Sequence, residues 1–377
     1  MAGPIYVPVL PTRRYALWAY EQLDPRIRRR VVPLWTVAPR AGPERMRGVR
    51  PDVDLDPDQD ELARWFRDRT DKLIGTVRGA AGWVDTGHVE CAVEAAAIGL
   101  WRLATRSRLR LVTSLDRSPT QQRYTADLAF LSGRGLGLRL LVDTPPAETL
   151  PEEVHDLIQR LGVPPSQLDL ILDLGMVTDA AEASKRGTAT LDLLGELARW
   201  RTLILTSGSF PRSPRVSDER FPDRSTDTAP RHDVQVHRSV LDDRPDDARR
   251  PVFGDYSAEH AHSANIPTPP KESRGPDWSI LRYTTMDDFL LPRVPTRGAD
   301  HVARTRAKAR RIVESPGFRG RGFSAAESWL YECAYGEGSK GSGSAETWAK
   351  VGHIQHMTFA VRRLLTERGA WAAPGQG

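Results

Sequence analysis

The sequence predicts an α/β fold, a (β/α)8 TIM-barrel-like domain followed by a C-terminal helical extension. About eight strand–helix units fit within the first 257 residues of the 377-residue chain, a length that suits one large barrel. The strands are short apolar runs, as in parallel sheets whose two faces are covered by helices. No Gly-x-Gly-x-x-Gly follows the first strand, which argues against an open dinucleotide-binding sheet.

Each strand of the barrel is recognised as an apolar run that ends at a polar or turn residue. The eight runs cover residues 5–10, 31–37, 82–85, 109–115, 136–142, 168–172, 203–205 and 251–257, the last including its loop. The seventh is the clearest, because it leads directly into the polar turn Thr206-Ser207-Gly208-Ser209 and stops at Phe210-Pro211.

Helical periodicity separates these runs, with apolar residues three and four apart. The helices are expected to start at residue 12 and to cover 60–78, 89–104, 120–131, 151–161 and 180–200, with a weak one closing at 237–241. Beyond the barrel we expect a strand over 278–284 and helices over 298–314, 324–334 and 347–368. The predicted division is therefore a barrel over 1–257 and an extension over 258–377 packed on it.

Bulk composition bounds the partners and the compartment. The net charge is +5 and only six of the 54 basic residues are Lys, so the chain is Arg-rich and a polyanionic partner is permitted. No apolar run approaches the roughly 20 residues of a membrane span, and the amino terminus lacks the pattern of an export signal. Two isolated cysteines, Cys91 and Cys333, favour a reducing cytoplasm over a disulfide framework.

Four predicted strands end in, or run just into, a carboxylate. These acids are Asp85, Asp143, Asp173 and Asp255. In (β/α)8 enzymes the carboxyl ends of the strands form the active mouth, where converging acids can bind Mg²⁺ or Mn²⁺ or divide into an acid and a base. The alternative is that each Asp caps the following helix, which suits Asp143 before Thr144-Pro145-Pro146.

A phosphate-binding function is indicated by the turn Ser207, Gly208 and Ser209 together with the loop after the next strand, which contains Tyr256. Arg282 and Tyr283 end a strand that could cross the same mouth, and an Arg there would be a bidentate phosphate ligand. The alternatives are a strand and loop without a ligand, and a salt bridge between Arg282 and a strand-end Asp.

Histidines cluster twice. His260 and His262 would share a face in an extended chain, and His353 and His356 are spaced i, i+3 on a helix. Each pair could bind a metal with an acid from the barrel, or could serve only in capping and hydrogen bonding. His353 is the candidate acid or base.

The densest basic segment is the helix around residues 304–311, followed by Arg319 and Arg321. It could contact a nucleic-acid backbone, because phosphate contacts need charge rather than particular side chains. The alternative is a solvated helix face, since aromatic residues are not interleaved with the charges.

Six short motifs together carry a family resemblance. They are Tyr6-Val-Pro-Val-Leu10, Val32-Pro-Leu-Trp35, Ser207-Gly-Ser-Phe-Pro211, Phe253-Gly-Asp-Tyr256, Leu281-Arg-Tyr-Thr284 and Trp348…Gly352-His353…His356. In this order, over nearly the whole chain, they resemble the "beta protein" family of phage and bacterial genomes. That resemblance implies a barrel-like fold and a setting in phage–host conflict, without naming a reaction.

Three functional hypotheses follow from the sequence. In the first, a polar barrel mouth binds a phosphorylated or nucleotide-like ligand, and a metal-assisted hydrolase is one form this could take. Its residues would be Asp173 and Asp255 as metal ligands or base, Ser207, Ser209 and Arg282 for phosphate, and His353 as proton donor. In the second, a non-enzymatic factor binds nucleic acid or a phage or host protein through the basic C-terminal helices. The third is an inert scaffold.

Overall fold

Eight parallel strands close into a barrel, which confirms the predicted fold class. The computed structural model describes residues 4–39, 59–90, 93–212, 228–245, 248–265, 277–337 and 341–367. The barrel strands are β1 (Tyr6–Pro11), β2 (Leu34–Thr36), β3 (Ala81–Asp85), β4 (Arg108–Thr113), β5 (Leu136–Leu141), β6 (Leu168–Met176), β7 (Thr202–Gly208) and β9 (Val252–Asp255). They pair in chain order, and β9 closes the ring against β1. The strand β8 (Thr228–Pro230) lies outside it.

Helices follow the strands of the barrel. They are α1 (Arg14–Glu21), α2 (Pro25–Arg28), α3 (Gln59–Val77), α4 (Val93–Arg106), α5 (Pro119–Ser132), α6 (Leu150–Leu161), α7 (Ala180–Leu194) and α8 (His232–Asp242). Local chemistry sets their ends: Ser118 and Gln121 form a capping box at α5, which stops at Gly133 with φ 64°. The helix α7 is shorter than the expected 180–200, because the Trp200 indole N–H donates to the Leu194 carbonyl and folds residues 195–200 back.

The core has two layers, as a closed parallel barrel requires. One cluster takes buried side chains from successive strands and includes Val9, Leu34, Trp83, Val112 and Ile171. A larger cluster joins the other faces of the strands to the helices. Since both faces of each strand are buried, the strands read as apolar runs rather than as an alternation of polar and apolar residues.

Within its described residues, the C-terminal part adds two small sheets and three helices. The strand β10 (Trp278–Ile280) pairs with β13 (Arg293–Pro295), and β11 (Tyr283–Thr284) pairs with β12 (Asp288–Leu290), which pairs with β8. The single strand expected over 278–284 is therefore wrong, because the chain leaves one sheet and enters another at Leu281 and Arg282. The helices are α9 (His301–Val313), α10 (Ala325–Tyr335) and α11 (Ala345–Glu367).

The long helix α11 joins the C-terminal part to the barrel. It is buried over most of its length and contacts α1, α2, β1 and β11. The boundary predicted between 257 and 258 stays a prediction. Cys91 lies outside the described residues, whereas Cys333 is buried in α10. No helix among the described residues is both long and apolar enough to cross a membrane.

Candidate functional site

Backbone register brings three of the predicted site residues to one edge of the barrel. Asp173 on β6 pairs with Thr206 on β7, and Ser207, the next residue of β7, pairs with Asp255 on β9. All three therefore end parallel strands at the carboxyl edge, where the active sites of (β/α)8 enzymes lie. Their side chains, however, take part in different contacts.

A cavity of about 540 Å³ opens over this edge, and we call it the axial cavity. Its wall includes Asp85, Arg117, Arg139, Asp173 and Tyr256, with His88 and His262 also lining it. A volume in this range suits a small-molecule ligand of nucleotide size.

Arg139 of β5 is the central side chain of the axial cavity. Its Nη1 donates to Asp85 Oδ2 at 2.7 Å, and its Nε donates to Asp173 Oδ2 at 2.9 Å. Its Nη2 donates to the Tyr256 hydroxyl at 3.0 Å, and that hydroxyl donates to Asp173 at 2.6 Å. One guanidinium thus ties together the ends of three strands and the loop after β9.

Electrostatics keeps Asp85 and Arg139 charged. Burial opposes ionisation of Asp85, but Arg139 and Arg117 outweigh it and hold its pKa below the usual value. Burial likewise opposes the charge of Arg139, and the nearby Asp173, Tyr256 and Asp85 overcome it and raise its pKa. Burial and the charge of Asp173 raise the pKa of Tyr256, so its hydroxyl keeps its proton.

Asp255 faces away from the axial cavity and binds the C-terminal helix. Its Oδ2 accepts from His356 Nε2 at 2.8 Å, and its Oδ1 accepts from the Tyr6 hydroxyl and from the Ser257 N–H. His356 Nδ1 lies 2.9 Å from the Thr284 hydroxyl. The acid at the end of β9 therefore fastens α11 to the barrel.

His353 lies one turn earlier on α11 in a second buried group. Its Nδ1 is 2.9 Å from Ser257 Oγ, its Nε2 is 3.3 Å from Glu259 Oε2, and the Tyr15 ring stacks on its imidazole. Burial lowers the pKa of His353, while the contact with His353 and the charges of Arg282 and Arg13 hold the pKa of Glu259 at about 2 despite its burial. The hydrogen bond of the His353 ring is the one between Nδ1 and Ser257 Oγ, while Nε2 faces Glu259 without a hydrogen bond.

The turn after β7 is packed with protein side chains. Ser209 donates to Asp233, whose other oxygen accepts from the buried Arg231. A Cβ at Gly208 would lie 2.9 Å from the Tyr256 ring and 3.1 Å from Ala261, so only glycine fits beneath that ring. Ser207 is buried at the end of β7.

Arg282 lies at a second cavity, of about 1100 Å³, between α1, α3 and α11, which we call the flank cavity. Its Nη1 donates to the Ala258 carbonyl at 2.9 Å, and its guanidinium lies over the Phe210 ring. Tyr283 is instead buried in the C-terminal part, where its hydroxyl accepts from the Arg319 N–H.

The predicted site residues thus fall into separate groups. The axial cavity holds Asp173, Tyr256 and the strand-end acid Asp85, whereas Asp143 is exposed on its loop. Asp255 and His353 lie between the barrel and α11, and Arg282 lines the flank cavity. Within the described residues, no group of three or more His, Cys, Asp or Glu is placed to hold a metal ion, and this includes His260 and His262.

The basic helix α9 buries Thr305, Ala309 and Ile312. This leaves Arg304, Arg310 and Arg311 exposed on its outer side. The geometry matches the solvated face considered above and also leaves these charges accessible to a partner.

Arg139 is the functional candidate that the motifs did not single out. The sequence does contain an indication, namely a charged residue in the apolar run Leu-Gly-Leu-Arg-Leu-Leu. A buried charge without an oppositely charged partner is strongly unfavourable, so such an arginine is expected to pair with an acid inside the barrel. Its partners were Asp85 and Asp173, two of the strand-end acids already recognised.

Comparison with known proteins bears on the chain as a whole. The family model described as Beta protein matches residues 6–362, nearly the full length, which confirms the resemblance seen in the motifs. A search of curated proteins finds no match.

Proposed function

The chain belongs to the Beta protein family, and we propose that its axial cavity binds a small phosphorylated or nucleotide-like ligand. The observation that carries the proposal is Arg139, held by Asp85 and Asp173 at the wall of this cavity with 18% of its side chain exposed. A guanidinium fixed in one orientation before the ligand arrives loses little entropy on binding, which favours affinity.

Two cations are available to a phosphate group in this cavity. Nη1 of Arg139 carries two N–H groups and donates to Asp85, so a ligand oxygen can accept from the second. Arg117, also on the cavity wall, donates to Asp85 from Nη2 at 3.0 Å. Asp85 and Asp173 already balance the charges of the two guanidiniums, so in this proposal the phosphate is held by the N–H groups that these acids leave free and not by an excess of positive charge.

Asp173 acts in this proposal as a positioning residue. Its Oδ1 accepts from the Gly175 N–H and its Oδ2 accepts from Arg139 and Tyr256. With both oxygens engaged, it orients the guanidinium instead of accepting a proton from water. If the ligand is hydrolysed, the imidazoles lining the cavity, His88 and His262, are the groups expected to move protons.

A thermal-shift screen of nucleoside monophosphates and sugar phosphates tests the binding. A ligand present at 100 times its Kd stabilises the wild type by about 2.7 kcal/mol. We expect Arg117→Gln and Arg139→Lys to reduce that stabilisation, and Lys185→Gln, which removes an exposed charge from α7 outside both cavities, to leave it unchanged. The proposal fails if no phosphorylated compound stabilises the wild type, or if all three variants respond alike.

Hydrolysis is tested separately on the compound that binds. Phosphate release is measured with and without Mg²⁺ or Mn²⁺, for the wild type, His88→Gln and His262→Gln. Binding without release would leave a ligand-binding protein and would contradict the hydrolase assignment.

A second candidate function is nucleic-acid binding by α9, which the exposed Arg304, Arg310 and Arg311 favour. A salt-dependent gel shift that is lost in the triple Gln variant would support it. The phage–host setting, which rests on family resemblance, predicts that expressing the chain changes phage plating efficiency; unchanged plating over a panel of phages counts against it.

A further inference from the structure

The flank cavity differs from the axial cavity in its balance of charge. Of the described residues that line it, five are cationic, namely Arg13, Arg14, Arg69, Lys72 and Arg282, and three are carboxylates, Glu21, Glu259 and Glu346. The cavity therefore carries an excess of positive charge at neutral pH. We propose that it binds a nucleoside di- or triphosphate, independently of the ligand of the axial cavity.

Two of these arginines donate to backbone carbonyls and also face the carboxylate of Glu259, whose pKa their charges lower. Arg13 Nη2 donates to the Ser263 carbonyl at 2.8 Å, and Arg282 Nη1 donates to the Ala258 carbonyl at 2.9 Å. A carbonyl fixes a guanidinium without cancelling its charge, as a carboxylate would. The nearby carboxylate, Glu259, is shared with Tyr15 and His353, so the positive charge is only partly compensated.

Two of the cations of α3, Arg69 and Lys72, extend this charge across the cavity. Burial and the charge of Arg13 lower the pKa of Arg69, which shows that like charges are crowded there. Lys72 is exposed one turn later on the same helix. A chain of phosphates would relieve this repulsion, since each phosphate supplies negative charge between neighbouring cations. The start of α1 at Arg14 adds the positive end of a helix dipole.

An aromatic surface lies in the same cavity. Trp18 is exposed over 36% of its area, and the Arg14 guanidinium lies 3.8 Å from the centre of its ring. The Arg14 side chain is itself 66% exposed and lies 3.8 Å from Glu346, so a base that displaces it breaks an exposed ion pair, which contributes little. A nucleobase stacking on Trp18 would replace one planar group by another. Phosphate charge and a stacking base together indicate a nucleotide instead of an inorganic anion.

Isothermal titration of the full chain with ATP, adenosine and tripolyphosphate tests the site. We expect ATP to bind, with an affinity that falls as salt is added, and adenosine and tripolyphosphate to bind more weakly. In Arg69→Gln/Lys72→Gln the Kd for ATP should rise roughly tenfold or more. Trp18→Ala should weaken ATP but not tripolyphosphate, and Trp18→Phe should restore most of the loss.

Matched controls keep this outcome apart from general charge effects and from the axial site. Arg304→Gln/Arg311→Gln also removes two positive charges, but from α9, and should leave the Kd for ATP unchanged. Arg117→Gln, in the axial cavity, should likewise leave it unchanged. The proposal is overturned if ATP binds equally well to Arg69→Gln/Lys72→Gln, if the α9 variant weakens it as much, or if tripolyphosphate binds as tightly as ATP. Loss of ATP binding in Arg117→Gln alone would move the nucleotide to the axial cavity.

Discussion

The axial cavity and the flank cavity hold their arginines in different ways, and residues 256–265 contribute to both. In the axial cavity Arg139 is bound by the carboxylates of Asp85 and Asp173. In the flank cavity Arg13 and Arg282 are bound by backbone carbonyls. The segment 256–265 contributes Tyr256 and Ala261 to the first cavity and Glu259 to the second.

The difference shows that the groups which accept hydrogen bonds from an arginine determine how much of its positive charge is available to a ligand. A guanidinium between two carboxylates is rigid and neutralised, so it confers orientation and stability and leaves limited charge for a ligand. A guanidinium held by carbonyls is oriented without an acid in that contact, although Arg13 and Arg282 also lie near Glu259, whose pKa their charges lower. The axial cavity is therefore suited to a compact ligand with one phosphate, and the flank cavity to a more highly charged one.

The largest effect expected from this comparison is the cost of unpairing Arg139. Asp173→Ala removes the acceptor of Arg139 Nε and of the Tyr256 hydroxyl, so we expect a loss of about 3–5 kcal/mol of unfolding free energy. Urea unfolding measures it. Asp143→Ala removes an exposed strand-end acid and should stay within about 0.5 kcal/mol. Equal effects of the two variants would mean that the axial pairing adds no stability.

A smaller effect is expected where Tyr256 packs over the turn after β7. Gly208→Ala places a methyl group 2.9 Å from that ring, so we expect a loss of about 1–3 kcal/mol and a weaker response of the axial cavity to its ligand. ATP binding in the flank cavity should be unchanged, which separates the two sites. Gly322→Ala, a position with no neighbour within 4 Å, is the control. If ATP binding also falls, the cavities are coupled through residues 256–265.

The smallest effect expected is a pH dependence from the segment 256–265. Burial, together with the charges of His262 and Arg212, lowers the pKa of His260 to about 4 against the opposing charge of Glu259. The unfolded chain, with an ordinary histidine pKa near 6.5, binds more protons between these values, so stability falls as the pH drops from about 6.5 to about 4. Thermal unfolding at pH 7 and pH 4.5 should show a smaller difference in His260→Gln. The same difference in both proteins would contradict this assignment.

Most of the fold could be predicted from the sequence, whereas the arrangement of the candidate site could not. Apolar runs such as 168–172 predicted the strands because burial on both faces leaves no polar alternation to obscure them. The single strand predicted over 278–284 was wrong, because its two halves pair with two different strands that the sequence did not identify. The position of Asp173 at the rim was predictable from the end of its strand, but its partner Arg139 was not selected.

The roles of Asp255 and His353 show the same limit. Both residues have the chemistry of a catalytic pair, yet Asp255 binds His356 and His353 lies between Ser257 and Glu259. Each contact joins the barrel to α11 across about a hundred residues. Residue type and spacing cannot distinguish an acid that binds a ligand from one that docks a helix.

The sequence by itself determined the repeated alternation of strand and helix, the closure of eight strands and the edge at which their polar ends collect. These follow from hydrophobic periodicity, which acts over a few residues. Only the tertiary structure decided how each cation is held, since Arg139 meets its acids from two other strands while Arg13 and Arg282 meet carbonyls of a distant loop. Charge compensation depends on distances of a few ångströms between residues far apart in the chain, and those distances exist only once the barrel has closed.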